Sequence, residues 1–314
     1  MTPVIIAHRG ASGYLPEHTL PAKSLAHEMG ADYIEQDVVA THDDELVVLH
    51  DIYLDRVSDV ASRYPNRVRD DGRYYVRDFD LDELRTLRAW ERMNPDDTAV
   101  YPRRYPARSG QFGIHTLDEE IALIQKLNEA SGRQVGIYPE IKRPAWHCNE
   151  GIDIAPRMLE TLANFGYADR YDPVYVQCFD AGEIHRLKHE LGCPWKLVQL
   201  IGENAWQEAN TDYDFLRSPA GLEQVATTAD AIGPWLPQLY KIAGIDGTRT
   251  SSGLTELAHD HGLAVHPYTF RVDDLPESFR TFDELVRFCV RDLGIDGLFT
   301  DFPDKAREAL YQCR

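Results

Sequence analysis

Short apolar runs alternate with amphipathic stretches along nearly the whole chain. The first run, Val4–Ala7, breaks off abruptly at His8-Arg9-Gly10-Ala11-Ser12-Gly13. This marks a buried strand that delivers an imidazole and a permanent cation to a loop. Thr19 is placed to cap a helix running to about Met29, with Pro21 in its permissive first turn and Gly30 as its stop. In Tyr33–Val39, Ile34, Gln36 and Val38 alternate with the other positions, so Glu35 and Asp37 share one face of a strand. Apolar flanks put that strand in the interior, where two carboxylates repel unless a cation joins them. Glu45–Asp51 reads as a further strand delivering His50, joined to its predecessor by a hairpin across Thr41–Asp44.

Residues 52–113 are dense in Arg, Asp, Tyr and Pro and have little periodicity beyond a short helix near 80–91. About 60 residues would give only a marginal core of their own, so this stretch reads as an insertion at the mouth of one domain spanning 1–314. From residue 116 helices and strands alternate strictly. Helices are expected at 117–130, 151–165, 181–191, 219–229, 252–261 and 281–293, with a short closing helix. Strands are expected at Val135–Ile141, Val174–Phe179, Lys196–Ile201, Ala231–Trp235, Leu263–Tyr268 and Gly297–Asp301. With the first two, that makes eight parallel-type strands, the pattern of an α/β TIM (β/α)8 barrel. A doubly wound sheet is the alternative, but no Gly-x-Gly-x-x-Gly follows any strand.

Composition narrows the partners. At 43% hydrophobic and 27% charged the chain is that of a soluble globular protein, and no stretch approaches the ~18 apolar residues of a membrane span. A net charge of −19 argues against nucleic acid and anionic membranes, and means that an anionic substrate would need a locally built positive field. The N-terminus shows no basic region followed by an apolar core, so a cytoplasmic location is expected, or a periplasmic one if an export signal has been removed. Five cysteines at non-zinc spacings form no disulfide framework, and Cys178 and Cys289 read as buried thiols.

In a barrel the loops at the strand C-terminal ends build the site. His8, Arg9, Glu35, Asp37, His50, Glu140 and Lys142 all fall there, with Phe179, Tyr268 and Asp301 at later ends. Glu35, Asp37 and Glu140 make a hard-oxygen cage suited to one divalent ion, Ca²⁺ or Mg²⁺. His8 and His50 offer a general acid and a general base, while Arg9 and Lys142 supply the missing positive charge. The set suits phosphodiester cleavage. A glycosidase would use paired carboxylates but needs no adjacent Arg and Lys.

The blocks His8–Thr19, Ala31–Asp37, Leu49-His50-Asp51 and Pro139-Glu140-Ile141-Lys142 resemble the signatures of glycerophosphodiester phosphodiesterases, most closely the bacterial periplasmic type. The resemblance continues through Gln177–Asp180, Val265–Thr269 and Gly297–Lys305, and includes the insertion. It implies a barrel that hydrolyses small glycerophosphodiesters, such as glycerophosphocholine and glycerophosphoethanolamine, to sn-glycerol 3-phosphate and an alcohol. It also implies metal ligation by Glu35, Asp37 and Glu140, acid–base work by His8 and His50, phosphate contacts from Arg9 and Lys142, and a glycerol pocket lined by Phe179. Many relatives carry tryptophan where this chain has Tyr268, which keeps an aromatic wall but adds a hydroxyl. A lysophospholipid hydrolase or phospholipase D-like enzyme, or a non-enzymatic binding barrel, are the competing readings.

Other residues read as structural. His185 and His189, four apart on a helix, form a solvated face without a third ligand. His18 organises the first loop. Glu17 either orients a neighbour or serves as a helix N-terminal charge. Asp301 reads as the cap of the closing helix or as a mouth residue, and Trp235 as a mouth aromatic or core packing.

Overall fold

The structure, a computed structural model, describes residues 2–243 and 247–313. Eight parallel strands form a barrel: β1 (Val4–Ala7), β2 (Tyr33–Ala40), β3 (Gly136–Ile141), β4 (Tyr175–Cys178), β5 (Lys196–Ile201), β6 (Ala231–Pro234), β7 (Ala264–Val265) and β8 (Gly297–Thr300). They pair in sequence order, and β8 returns to β1 with Val4 opposite Gly297. The ring closes between β7 and β8 through individual backbone bonds. Asp296 and Phe299 donate to the carbonyls of Val265 and Pro267, both at 3.0 Å, and Phe270 donates to Phe299 at 2.8 Å. The seventh strand is therefore shorter than the expected Leu263–Tyr268, because the chain after Val265 leaves regular pairing while still bonding to its neighbour.

Packing follows the two faces of the strands. Ile6, Tyr138, Val198, Ala231 and Phe299 fill the barrel interior. Between strands and helices lies a larger apolar shell that includes Ile34, Val38, Ile121 and Leu162 on one side and Ile232, Leu285 and Leu298 on the other. Deleting a buried ring such as that of Phe299, 1% exposed, would cost about 3–5 kcal/mol. Cys178 and Cys289 are buried free thiols. Among the described residues, no helix is long and apolar enough to cross a membrane.

The expected hairpin is present, but its second strand is only Leu46–Val48, with Val38 opposite Val48. Leu49 then donates to the carbonyl of Asp37 at 2.8 Å, which turns His50 toward the end of β2. In the insertion, the expected helix near 80–91 shrinks to Leu81–Leu84, begun by an Asp80/Glu83 capping box. The following residues are extended instead, because Ala89 and Trp90 donate to the carbonyls of Phe112 and Val57, both at 2.9 Å. Leu54, Val60, Val76, Phe79 and Leu84 pack onto Val39 and Val47 at the β2 hairpin. Short elements had no counterpart in the periodicity, among them the helices Val60–Arg63, Pro144–Asn149 and Tyr213–Leu216, and a ribbon in which Tyr240–Ala243 pairs with Thr248–Ser251.

Candidate active site

The site begins where β1 ends. His8 donates its backbone N–H to Thr300 at 2.9 Å, and the chain then turns through Arg9 and Gly10, at φ of 59° and 89°. A Cβ at Gly10 would also lie 2.9 Å from the carbonyl of Ala22, so glycine is required there twice over. His18 shares the left-handed conformation, and its N–H reaches the carbonyl of Arg9 at 3.0 Å. Two strained residues thus brace each other at the mouth.

Glu35, Asp37 and Glu140 come together as expected from β2 and β3: one ligand oxygen from each lies within 4.8 Å of the others, and all three residues are buried. The Oδ1 of Asp37 has no hydrogen-bond partner. Burial and the Asp37 charge push Glu35 up to about 8, and burial drives Glu140 well above the carboxylate range despite Lys142. Crowded hard oxygens, one of them orphaned, are what a divalent cation would relieve, so the donor set fits Ca²⁺ or Mg²⁺. Each carboxylate is oriented from behind. Glu35 accepts from the Arg9 N–H at 2.8 Å and from Gln177 Nε2 at 2.9 Å. Asp37 accepts from His18 Nε2 at 2.8 Å, and Lys142 Nζ lies 2.8 Å from Glu140.

His18 does more than organise the first loop. Lys23, fully buried, donates to His18 Nδ1 at 3.1 Å and also contacts the Glu35 carbonyl and Glu120, the latter at 3.0 Å. An ammonium can only donate, which leaves the His18 proton on Nε2, pointing at Asp37. Lys23 and Glu120 gave no signal in the sequence, because each occupies an ordinary position in an amphipathic helix.

The two histidines are built alike. His8 Nδ1 lies 2.6 Å from Asp301 and His50 Nδ1 2.7 Å from Asp51. Asp301 is therefore not the cap of the closing helix, a position Phe302 takes. It is a buried anion that also accepts from Arg104 and Arg271, both at 2.7 Å. Burial pushes the Asp301 carboxyl up, but Arg271, His8 and Arg104 outweigh it and hold it well below its ordinary range. An ionised Asp301 keeps the His8 proton on Nδ1, so Nε2, which lies 4.0 Å from Glu35, is free to accept one. Burial and then Arg9 lower His8 to about 4. His50, with 30% of its side chain exposed, is lowered too, by burial, Arg9 and Lys142.

Glu17 proves to be an orienter. It accepts from Arg9 at 2.9 Å and from Arg92 at 2.5 Å, and Arg92 also donates to Asp51 at 2.5 Å. A continuous chain of charged groups thus runs from Arg9 to His50. Arg92 and Arg104 lie in the stretch without periodicity and were missed. The rings of His185 and His189 lie 4.6 Å apart at a 48° tilt, and no metal-type cluster includes them among the described residues.

His8, Arg9, Glu35, Asp37, His50 and Glu140 line a cavity of about 180 Å³ whose opposite wall is aromatic. Phe179 and Tyr268 meet edge to face at 5.9 Å, and Lys142 Nζ stands 5.7 Å from the Phe179 ring centre. The Tyr268 hydroxyl donates to the carbonyl of Ile201 at 2.9 Å, so it anchors the wall. Trp235 also lines the cavity, packed against Trp206 at 5.1 Å. A barrel mouth with a carboxylate cage, two imidazoles and two cations beside an apolar wall defines a hydrolase for small anionic esters.

Comparison with known proteins narrows the class. Residues 8–305 match the glycerophosphoryl diester phosphodiesterase family, and the chain belongs to it as a phosphoric diester hydrolase. It is 42% identical over 98% of its length to the glycerophosphodiester phosphodiesterase of Haemophilus influenzae, covering 89% of that protein. The corresponding figures are 37%, 96% and 90% for the enzyme of the same name from Treponema pallidum. The barrel is similar to that of an Oleispira antarctica phosphodiesterase solved with the product sn-glycerol-3-phosphate, at a TM-score of 0.65 and 21% identity over 99% of this chain and 97% of that one.

Proposed function

We propose that the protein hydrolyses sn-glycero-3-phospho-alcohols to sn-glycerol 3-phosphate and the free alcohol with one divalent ion, Ca²⁺ or Mg²⁺. Its working unit is a single barrel domain with residues 52–113 covering the mouth. The observation that carries the reading is the position of His8 Nε2, 4.0 Å from a carboxylate of the buried acidic cluster and in one cavity with Arg9, His50 and the aromatic wall. The relatives' names and the product complex of the Oleispira antarctica protein support the same substrate class.

In this reading Glu35, Asp37 and Glu140 hold the metal, which would supply Lewis-acid stabilisation of charge on the phosphoryl group. Arg9 and Lys142 draw the phosphodiester anion into an acidic protein, and Phe179 and Tyr268 pack the glycerol carbons. One imidazole takes a proton from the attacking oxygen as the new O–P bond forms, and water supplies the oxygen that remains on the phosphate. The other gives a proton to the alkoxide released as the old bond breaks. Both imidazoles are neutral in the free protein, and a bound phosphodiester anion raises the one it touches, which readies it to donate.

Product analysis is the test. With glycerophosphocholine and added divalent metal, the products expected are glycerol 3-phosphate and choline. Release of phosphocholine and glycerol would place the attack on the wrong ester bond, and release of neither would reject the activity.

A further inference from the structure

A second cavity, of about 160 Å³, opens beside the first and shares His8, Arg9, His50 and Arg271 with it. Its remaining wall comes largely from the insertion. Four guanidinium groups line it, and each has a carboxylate already. Arg9 pairs with Glu17, and Arg92 with Glu17 and Asp51. Arg104 pairs with Asp273 and Asp301, and Arg271 with Asp301. Glu17, Asp51, Asp273 and Asp301 already match the four cations in number, and Asp37 and Asp274 reach Arg9 and Arg271 as well, at 3.6 and 4.0 Å.

Glu91 is the carboxylate left over. The residue is 4% exposed and lines this cavity, and its Oε2 is buried with no hydrogen-bond partner. Among the described residues it forms no ion pair, although Arg92 and Arg104 line the same cavity. Burial, Glu17 and Asp301 push its carboxyl up to about 8, as expected of a buried acid short of a counter-charge. A buried carboxylate facing a cavity without a partner is costly unless a ligand completes it.

The two cavities meet at His8 and His50, where the scissile ester would sit, so its two substituents divide between them. The aromatic wall lies in the first cavity and the surplus acid in the second. We infer that the second cavity receives the alcohol half of the substrate, and that Glu91 selects for a head group carrying an ammonium or trimethylammonium charge. This rests on the phosphodiesterase reading above.

The test compares glycerophosphoethanolamine with glycerophosphoglycerol, which lacks the charge, in wild type and Glu91→Gln. The ratio of kcat/KM for the cationic over the neutral ester is expected to fall about tenfold in the variant, the scale of one hydrogen bond to a charged group. An unchanged ratio overturns the inference. A second measurement needs no variant: choline should inhibit wild-type hydrolysis of glycerophosphoglycerol at least several-fold better than its uncharged isostere 3,3-dimethylbutanol. Equal inhibition overturns the inference even if Glu91→Gln fails to fold. If wild type cleaves neither ester, the phosphodiesterase reading itself has failed, whereas cleavage of both without charge preference rejects only the role of Glu91.

Discussion

Asp301 and Lys23 each hold a residue of the cavity wall by direct contact, His8 and Glu35 respectively. Asp301 fixes the His8 tautomer at 2.6 Å, so Asp301→Asn is expected to lower kcat by roughly 10²-fold or more with little change in KM, the scale of losing a correctly presented general base. A melting curve separates this from the loss of the Arg104 and Arg271 bonds, and a kcat within twofold of wild type would refute the tautomer argument. Lys23 is fully buried against Glu120, His18 and the Glu35 carbonyl. Removing one partner of a buried ion pair strands the other charge, so Lys23→Met should cost about 3–5 kcal/mol in urea unfolding. Lys23→Met with Glu120→Leu should recover part of it. A double variant no more stable than the single one would show that Glu120 is not the stranded charge.

At the scale of elements, the barrel strands were legible because apolar runs of four to eight residues ended in polar residues at a consistent side of the fold. Glu35, Asp37, Glu140 and Lys142 could be read for that reason: strand parity fixes where their side chains point. The insertion was not legible, since its Arg92 and Arg104 sit in extended and turn segments whose bonds run to distant partners. Its position before a helix leaves Asp301 as a cap or a mouth residue, and only the fold shows that it lines the mouth with His8 and two arginines around it. Gly10 ties the first loop to the following helix. Gly10→Ala combines a left-handed φ with a 2.9 Å approach to Ala22 and should displace His8 and Arg9. The expected result is a sharp loss of activity with far-ultraviolet circular dichroism retained. Wild-type activity in that variant would mean the loop tolerates a different path.

For the whole molecule, an excess of acid is managed by burying carboxylates against arginines. Burial raises Glu17 and Asp51, but Arg9 and Arg92 outweigh it for Glu17, as Arg92 and His50 do for Asp51, and both are held well below their ordinary range, like Asp301. Groups depressed in the folded state add stability that is fully present above the unfolded carboxylate values, near about 4. That stability is lost as pH falls further, through the folded values. Urea midpoints should therefore drop steeply below about 4 as these carboxylates protonate. A midpoint unchanged down to pH of about 3 would mean these pairs contribute nothing. The proposed function places a divalent cation at Glu35, Asp37 and Glu140, and its metal dependence is open to direct measurement. The direct measurement is glycerol 3-phosphate release from glycerophosphocholine by protein stripped with a chelator and then titrated with Ca²⁺ or Mg²⁺. Activity should vanish on stripping and return with the ion in wild type, but not in Glu35→Gln. Equal turnover by stripped and restored wild-type protein would contradict it.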